Sequence, residues 1–137
     1  MNYFSDESEW KWLFRNGLDW DKILPLYYPS YPTEDGLESK EEVIDFLEEL
    51  MGALGDWASG SVAERAEKFD LEGPGTVEKG RQVPNQQLKD LIREGTELSV
   101  FGLPLPREYG GMQAPATLYL LMLGQVDLAS GADANPP

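Results

Sequence analysis

Neither cysteine nor histidine occurs among the 137 residues of this chain. Without cysteine, disulfide bonds, thiolate nucleophiles and cysteine-ligated metals are excluded. Without histidine, the chain lacks the commonest general base and the commonest metal ligand. Serines such as Ser59 and Ser99 therefore have no histidine to activate them. We expect no catalytic residue and no metal site within this sequence.

Long apolar runs and a basic N-terminus are also missing. No apolar run reaches the ~20 residues that a membrane-spanning helix requires. The first ten residues, MNYFSDESEW, lack the basic start and apolar core of a signal peptide. We therefore predict no membrane insertion and a cytoplasmic location.

Basic residues are scarce. The chain has 11 basic and 25 acidic residues, a net charge of −14, and 18 of the acidic residues lie in residues 1–72 with only 6 basic ones. An electrostatic field of this sign disfavours nucleic acid and other phosphate-rich ligands on the N-terminal half. We predict that no nucleic acid binds.

Three segments carry helical patterns. Ser39 and Glu42 form a capping box at the start of the first, and apolar residues recur at helical spacing over residues 43–71. A second pattern covers about residues 84–98. The third segment, 115–129, is apolar nearly all round, which is typical of a helix inside a larger protein. The patterns predict an all-α fold, a small bundle of about four to six helices.

Two shorter segments connect these helices. Residues 25–36, PLYYPSYPTEDG, contain three prolines and three tyrosines and predict an extended Pro/Tyr-rich strap packed on the helical core. Residues 77–81, VEKGR, lie in a stretch rich in helix-breaking residues and predict a small hairpin.

Residues 101–112, FGLPLPREYGGM, are the most informative stretch. Pro104 and Pro106 each fix their own φ and bias the preceding residue away from helix, so they predict an extended path. Gly110 and Gly111 predict a tight reversal through backbone angles that a side chain would resist. Tyr109 is placed directly before the reversal.

The order helix, LPREYGG, helix resembles the N-terminal helical domain of flavin-dependent acyl-CoA dehydrogenases, in which an LPxxYGG junction joins two helices. The likeness covers about residues 39–130, and the earlier YFSDESEWKWLFRNGLDWDKILP is similar to the N-terminal extension of larger bacterial members. It implies an extension with short helices and the strap at 1–38 and an incomplete family domain at 39–130. A disordered tail is expected at 131–137, and the chain stops before the β domain of the family.

In that family a glutamate removes the α proton of an acyl-CoA thioester while FAD accepts a hydride from the β carbon. The resemblance places that glutamate and the flavin-binding domain outside this chain, so it implies FAD and acyl-CoA for the complete enzyme but no FAD bound here. Whether the chain belongs to an enzyme is left open. The part of the cleft wall that the resemblance assigns to this chain is Pro106, Arg107, Glu108, Tyr109, Gly110 and Gly111.

Two functions stay open at this point. The chain is either the N-terminal domain of an acyl-CoA dehydrogenase, inactive alone, or a stand-alone acidic helical interaction module. In both cases residues 115–129 are expected to mediate self-association, because an apolar helix without its cover tends to pair. The turn has a purely structural alternative, in which it connects two core helices and contacts no ligand.

Overall fold

The computed structural model describes residues 1–131. It is 65% helix and 6% strand, which confirms the predicted all-α class. The helices are α1 (Ser8–Trp12), α2 (Trp20–Tyr27), α3 (Lys40–Trp57), α4 (Ala63–Glu72), α5 (Gln86–Glu97) and α6 (Ala116–Gly131). A π-helical turn continues α1 over Leu13–Gly17, and another joins α3 to α4 over Ala58–Val62.

The helix predicted from the capping box is confirmed. The Ser39 hydroxyl accepts a hydrogen bond from the Glu42 amide at 3.2 Å, and the Glu42 carboxylate accepts one from the Glu38 amide at 2.8 Å. The π turn joins α3 and α4 into one continuous helix, and α6 packs along it. The apolar side of α3 is buried in that packing: Val43, Ile44, Leu47, Met51 and Leu54.

The predicted hairpin is present between α4 and α5. Strands β1 (Gly75–Glu78) and β2 (Arg81–Pro84) pair antiparallel, with Lys79 and Gly80 as the two turn residues. Both turn residues have positive φ, 50° and 76°, as a two-residue turn that follows the strand twist requires.

The extended strap begins later than predicted. Residues 25–27 belong to α2, which includes Pro25, so the prediction of an extended chain was wrong for them. Pro25 has no N–H to donate to the Asp21 carbonyl. Both residues are exposed, so solvent is available to that carbonyl, and α2 ends two residues later.

The strap, here defined as residues 28–37, ends in a closed loop. The Gly36 amide donates to the Thr33 carbonyl and the Thr33 amide donates to the Leu37 carbonyl, both at 2.9 Å. The Leu37 amide also donates to the Thr33 hydroxyl at 3.1 Å. These bonds hold the tip of the strap in one conformation.

One apolar core includes side chains from both sides of residue 38. Phe4, Phe14 and Trp20 are almost fully buried. The Phe4 and Phe14 rings meet edge to face at a centroid distance of 5.7 Å, and the Phe14 and Trp20 rings are tilted at 4.9 Å. They share this core with side chains of α3 and α6. Residues 1–38 therefore take part in the packing of residues 39–130, and the domain boundary at 38 stays a prediction.

The last helix, α6, includes Gly131, the first residue of the predicted disordered tail. Residues 132–137, the rest of that tail, lie outside the described residues. Over residues 1–131, no helix has both the length and the apolar character needed to cross a membrane.

Candidate functional site

The predicted cleft-wall turn contains a short 3-10 helix, Arg107–Tyr109. Pro106 before it is extended, with ψ 149°, and its carbonyl accepts hydrogen bonds from the Tyr109 and Gly111 amides at 3.1 Å. Gly110 has φ 80°, in the left-handed region that glycine adopts without strain. The reversal predicted at this position is confirmed.

The chain after the turn lies directly against the chain before it. The Met112 amide donates to the Gly102 carbonyl at 3.1 Å and the Gln113 amide donates to the Leu105 carbonyl at 2.9 Å. A Cβ added to Gly111 would lie 2.1 Å from the Leu105 carbonyl oxygen. Gly111 is therefore required by the close approach of two backbones, whereas Gly110 is favoured by its φ.

The extended path predicted before the turn was wrong for residues 101–105. Val100–Gly102 is a 3-10 helix, and Leu103 is in the right-handed helical region although it precedes Pro104. Proline fixes only its own φ, a value that fits a turn as well as an extended chain. Complete burial of Leu103 supports the helical conformation over the preference of a residue before proline.

The six candidate residues lie at the surface, with Arg107 and Gly111 half-buried and the other four exposed. Tyr109 is 75% exposed, and Phe101 and Leu105 are also exposed. We name these three side chains the turn patch. They give this part of the surface apolar area that a ligand or another polypeptide could cover.

Arg107 links the turn to the strap. Its Nη1 and Nη2 donate to the two carboxylate oxygens of Asp35 at 2.7 and 2.5 Å, and its Nε lies 3.7 Å from a carboxylate oxygen of Glu34. The hydrogen bonds to Asp35 raise the pKa of Arg107 above its ordinary value. Sequence reasoning missed this pair, because 72 residues separate its members and neither position carries a motif.

Two hollows flank Arg107. One, of about 140 Å³, lies beneath the strap on the Tyr28 side, and the other, of about 450 Å³, is bordered by Leu37, Phe46 and Met112. Tyr28 is buried, and its burial raises the pKa of its hydroxyl. The ion pair between Arg107 and Asp35 is therefore bordered by two surface hollows.

A second link joins the base of the strap to the start of α6. The Tyr27 hydroxyl accepts a hydrogen bond from the Ala116 amide at 3.3 Å, and the Tyr27 carbonyl accepts one from the Gln113 side-chain amide at 3.5 Å. The sequence placed tyrosines in the strap but gave no sign of which polar group they would meet.

The two sides of α6 differ in burial, and both carry apolar side chains. Its inner side packs against α3 and α4, whereas Leu120, Leu123 and Leu128 on the outer side are 66%, 42% and 48% exposed. We name these three leucines the α6 outer face. The prediction that this helix is apolar on more than its core-facing side is confirmed. The buried inner residues are Leu118, Leu121, Met122, Gln125 and Ala129.

Gln125 is the one polar residue in that inner set. It is fully buried, and neither its amide nitrogen nor its oxygen has a hydrogen-bond partner among the described residues. The indole N–H of Trp57 is likewise buried and without a partner there. A buried polar group without a hydrogen bond lowers stability.

The turn and its surroundings expose apolar side chains at the surface. Within residues 1–131, no three acidic side chains come together in a way that could hold a metal ion. No serine in the sequence has a histidine to activate it. The arrangement can present the turn patch and the α6 outer face to a ligand or to further polypeptide.

No family model, curated protein or solved structure matches this chain. The resemblance to acyl-CoA dehydrogenases therefore stays a prediction from the sequence.

Proposed function

We propose that this chain forms the N-terminal helical wall of a cleft for a flavin and an acyl-CoA thioester, in an enzyme whose other walls are separate polypeptide segments. The observation that carries the proposal is the α6 outer face, whose three leucines are exposed in the part of the chain that the structure describes. Two further features support it: α5 and α6 flank the turn in the order that the resemblance implies, and the turn patch lies between them in sequence.

The residues present fit one part of such a ligand and not another. The exposed Phe101, Leu105 and Tyr109 suit contact with an acyl chain or with the flat flavin ring. The phosphates of FAD and coenzyme A need cationic or N–H-rich surroundings, whereas Glu34, Asp35 and Glu108 lie near the only arginine of the turn. We therefore assign the phosphates to other segments of the enzyme.

The proposed role of this chain in catalysis is to shape one wall of the cleft and to exclude water from it. Bound FAD would supply hydride acceptance in the family reaction, and the base that removes the α proton lies outside this sequence in the resemblance. The chain alone is expected to hold neither FAD nor acyl-CoA and to be inactive.

The test compares two equally exposed apolar residues in the flavin-containing enzyme, expressed from the gene together with its flanking coding sequence. Tyr109→Ala should lower kcat/KM for acyl-CoA oxidation by about tenfold, a loss equal to about 1.4 kcal/mol of transition-state stabilisation. Val77→Ala, 76% exposed on the hairpin, is the matched control and should leave kcat/KM unchanged. Equal effects of the two substitutions would contradict the assignment, as would tight flavin binding by residues 1–137 alone.

Self-association is proposed for the isolated chain through residues 115–129. The α6 outer face supplies apolar surface, and the net charge of −14 opposes contact between copies, so pairing should strengthen as salt screens the charge. Sedimentation velocity at high salt should show dimers that Leu120→Ser with Leu123→Ser converts to monomers. Leu71→Ser, at a leucine 79% exposed on α4, should leave them intact. Monomers at every salt concentration would contradict this proposal.

The second candidate function is a stand-alone acidic helical interaction module, favoured by the acidic residues 1–72 beside an uncovered apolar helix. It predicts salt-sensitive capture of a basic partner without flavin. We also propose a cytoplasmic location and, on the net charge of −14, no binding to nucleic acid. Cell fractionation and a filter-binding titration test these two proposals.

A further inference from the structure

We propose that the strap is a clamp that fixes the position of the 106–111 turn, with Asp35 as its positioning residue. A consequence for a ligand cleft follows only if the proposed function holds. The clamp itself rests on contacts within this chain.

The strap packs on the core through its two ends, Tyr28 and Leu37. Its residues 29–32 and 34–36 are exposed, and hollows lie on both sides of Arg107. Tyr28 anchors the base of the strap by burial, and the neighbouring Tyr27 binds the Ala116 amide. At the tip, the described contacts with the turn are the paired hydrogen bond between Asp35 and Arg107 and the Glu34 carboxylate, 3.7 Å from the Arg107 Nε.

The local backbone positions both Asp35 and Arg107 for this hydrogen bond. Asp35 lies inside the loop closed by the hydrogen bonds of Thr33, Gly36 and Leu37, so its carboxylate is presented by a fixed backbone. Arg107 lies in the 3-10 helix of the turn. The planar guanidinium meets both carboxylate oxygens, an arrangement that the single ammonium of lysine cannot reproduce.

The expected effect is local. An ion pair with side chains 30% and 43% exposed contributes up to about 1 kcal/mol, so losing it should raise the open population of the turn about twofold to fivefold. Global stability should fall by no more than this amount, and amides that exchange through local openings elsewhere in the chain should be unaffected. A clamp is therefore distinguished from a general stabilising contact by where the effect appears.

The experiment is amide hydrogen exchange on the full chain. Asp35→Asn should speed exchange about twofold to fivefold at Gly110, Gly111 and Met112, whose amides bond within the turn and to the chain before it. Asp45→Asn breaks a matched exposed pair, in which Arg15 donates at 2.7 Å, and should leave these three amides unchanged. Arg107→Lys should behave like Asp35→Asn.

Rescue separates the ion pair from other effects of the substitution. The exchanged pair, Asp35→Arg with Arg107→Asp, should restore slow exchange at the three amides. Unchanged exchange in Asp35→Asn, acceleration spread evenly over the chain, or equal acceleration in Asp45→Asn would each overturn the proposal.

Amide exchange can be measured without flavin, so the clamp and the cleft wall are tested independently of each other. Faster exchange in Asp35→Asn with no effect of Tyr109→Ala on kcat/KM would leave the clamp standing and remove the cleft wall. The reverse result would retain the wall and remove the clamp.

Discussion

Gly55 in the last turn of α3 gives the sharpest test of how the N-terminal segment is held. Replacing a helical glycine by alanine ordinarily stabilises a protein by up to about 1 kcal/mol. At Gly55 we expect the opposite sign. A Cβ there would lie 2.3 Å from the Asn2 side-chain oxygen and 3.0 Å from the Phe4 amide nitrogen, so Gly55→Ala must displace the N-terminal segment.

The magnitude follows from the hydrogen bonds of Asn2. Its side-chain oxygen accepts from the Phe4 and Ser5 amides at 2.8 and 2.7 Å. Its side-chain nitrogen donates to the Gly52 carbonyl at 2.8 Å and to Asp56 at 2.7 Å. Four bonds at about 1 kcal/mol each, less about 1 kcal/mol of helix propensity, give a destabilisation of at most about 3 kcal/mol.

Chemical denaturation followed by circular dichroism measures this difference, and Gly52→Ala is the matched control. Gly52 lies in the same helix with open space at its Cβ position, so its replacement should stabilise by up to about 1 kcal/mol. In an Asn2→Ala background, the cost of Gly55→Ala should shrink, since the nearest clashing atom is gone. Gly55→Ala as stable as Gly52→Ala would refute the reasoning.

Three further predictions concern other elements. Gln125→Met should raise the free energy of unfolding by about 1 to 2 kcal/mol, because methionine has a similar volume and removes two buried polar atoms that have no partners among the described residues. Urea denaturation measures this difference. A loss of stability would show that the Gln125 amide has hydrogen-bond partners in the folded protein. Hydrogen bonds from Ser61 and Arg65 lower the pKa of Glu94, so its contribution is full above about pH 4.3 and is lost as pH falls through the lowered pKa. Glu94→Gln should therefore be less stable than the original chain at neutral pH, and a series of urea titrations should show the difference closing as the pH falls through the lowered pKa. Gly111→Ala should destabilise by more than 1 kcal/mol and Gly110→Ala by about 1 kcal/mol, because the first meets the Leu105 carbonyl and the second only strains φ; equal thermal shifts would count against this.

Local signals in the sequence predicted most of the helical framework. The capping box at Ser39, the apolar spacing after it and the breaker-rich stretch around Gly80 each act within a few residues, and the structure confirms the elements they predicted. The failures were also local. Pro25 was taken to end helical structure, and Pro104 to extend the chain, because proline restricts φ without choosing between an extended chain and a turn.

The surroundings of the candidate site could not be predicted in the same way. The turn at Gly110 was found because it needs a residue of particular backbone freedom. Asp35 contacts the turn, and Tyr27 contacts the chain just after it, across 70 or more residues through ordinary polar groups. Contacts of this kind leave no periodic or compositional trace. Asn2, which binds α3 across 50 residues or more, escaped prediction for the same reason.

The contrast between α3 and α6 bears on whether the outer face of α6 is a binding surface or ordinary exposed surface. Single exposed leucines are common on soluble proteins and alone mean little. In this chain, however, α3 carries acids on the side that its core residues leave free, namely Glu41, Glu42, Asp45, Glu48 and Glu49. The free side of α6 carries Asp127 as its only charge, although 25 acidic residues were available in the chain. A composition this acidic would supply charges to α6 as it does to α3 if water were the only neighbour of that face, so the distribution favours covering polypeptide at Leu120, Leu123 and Leu128.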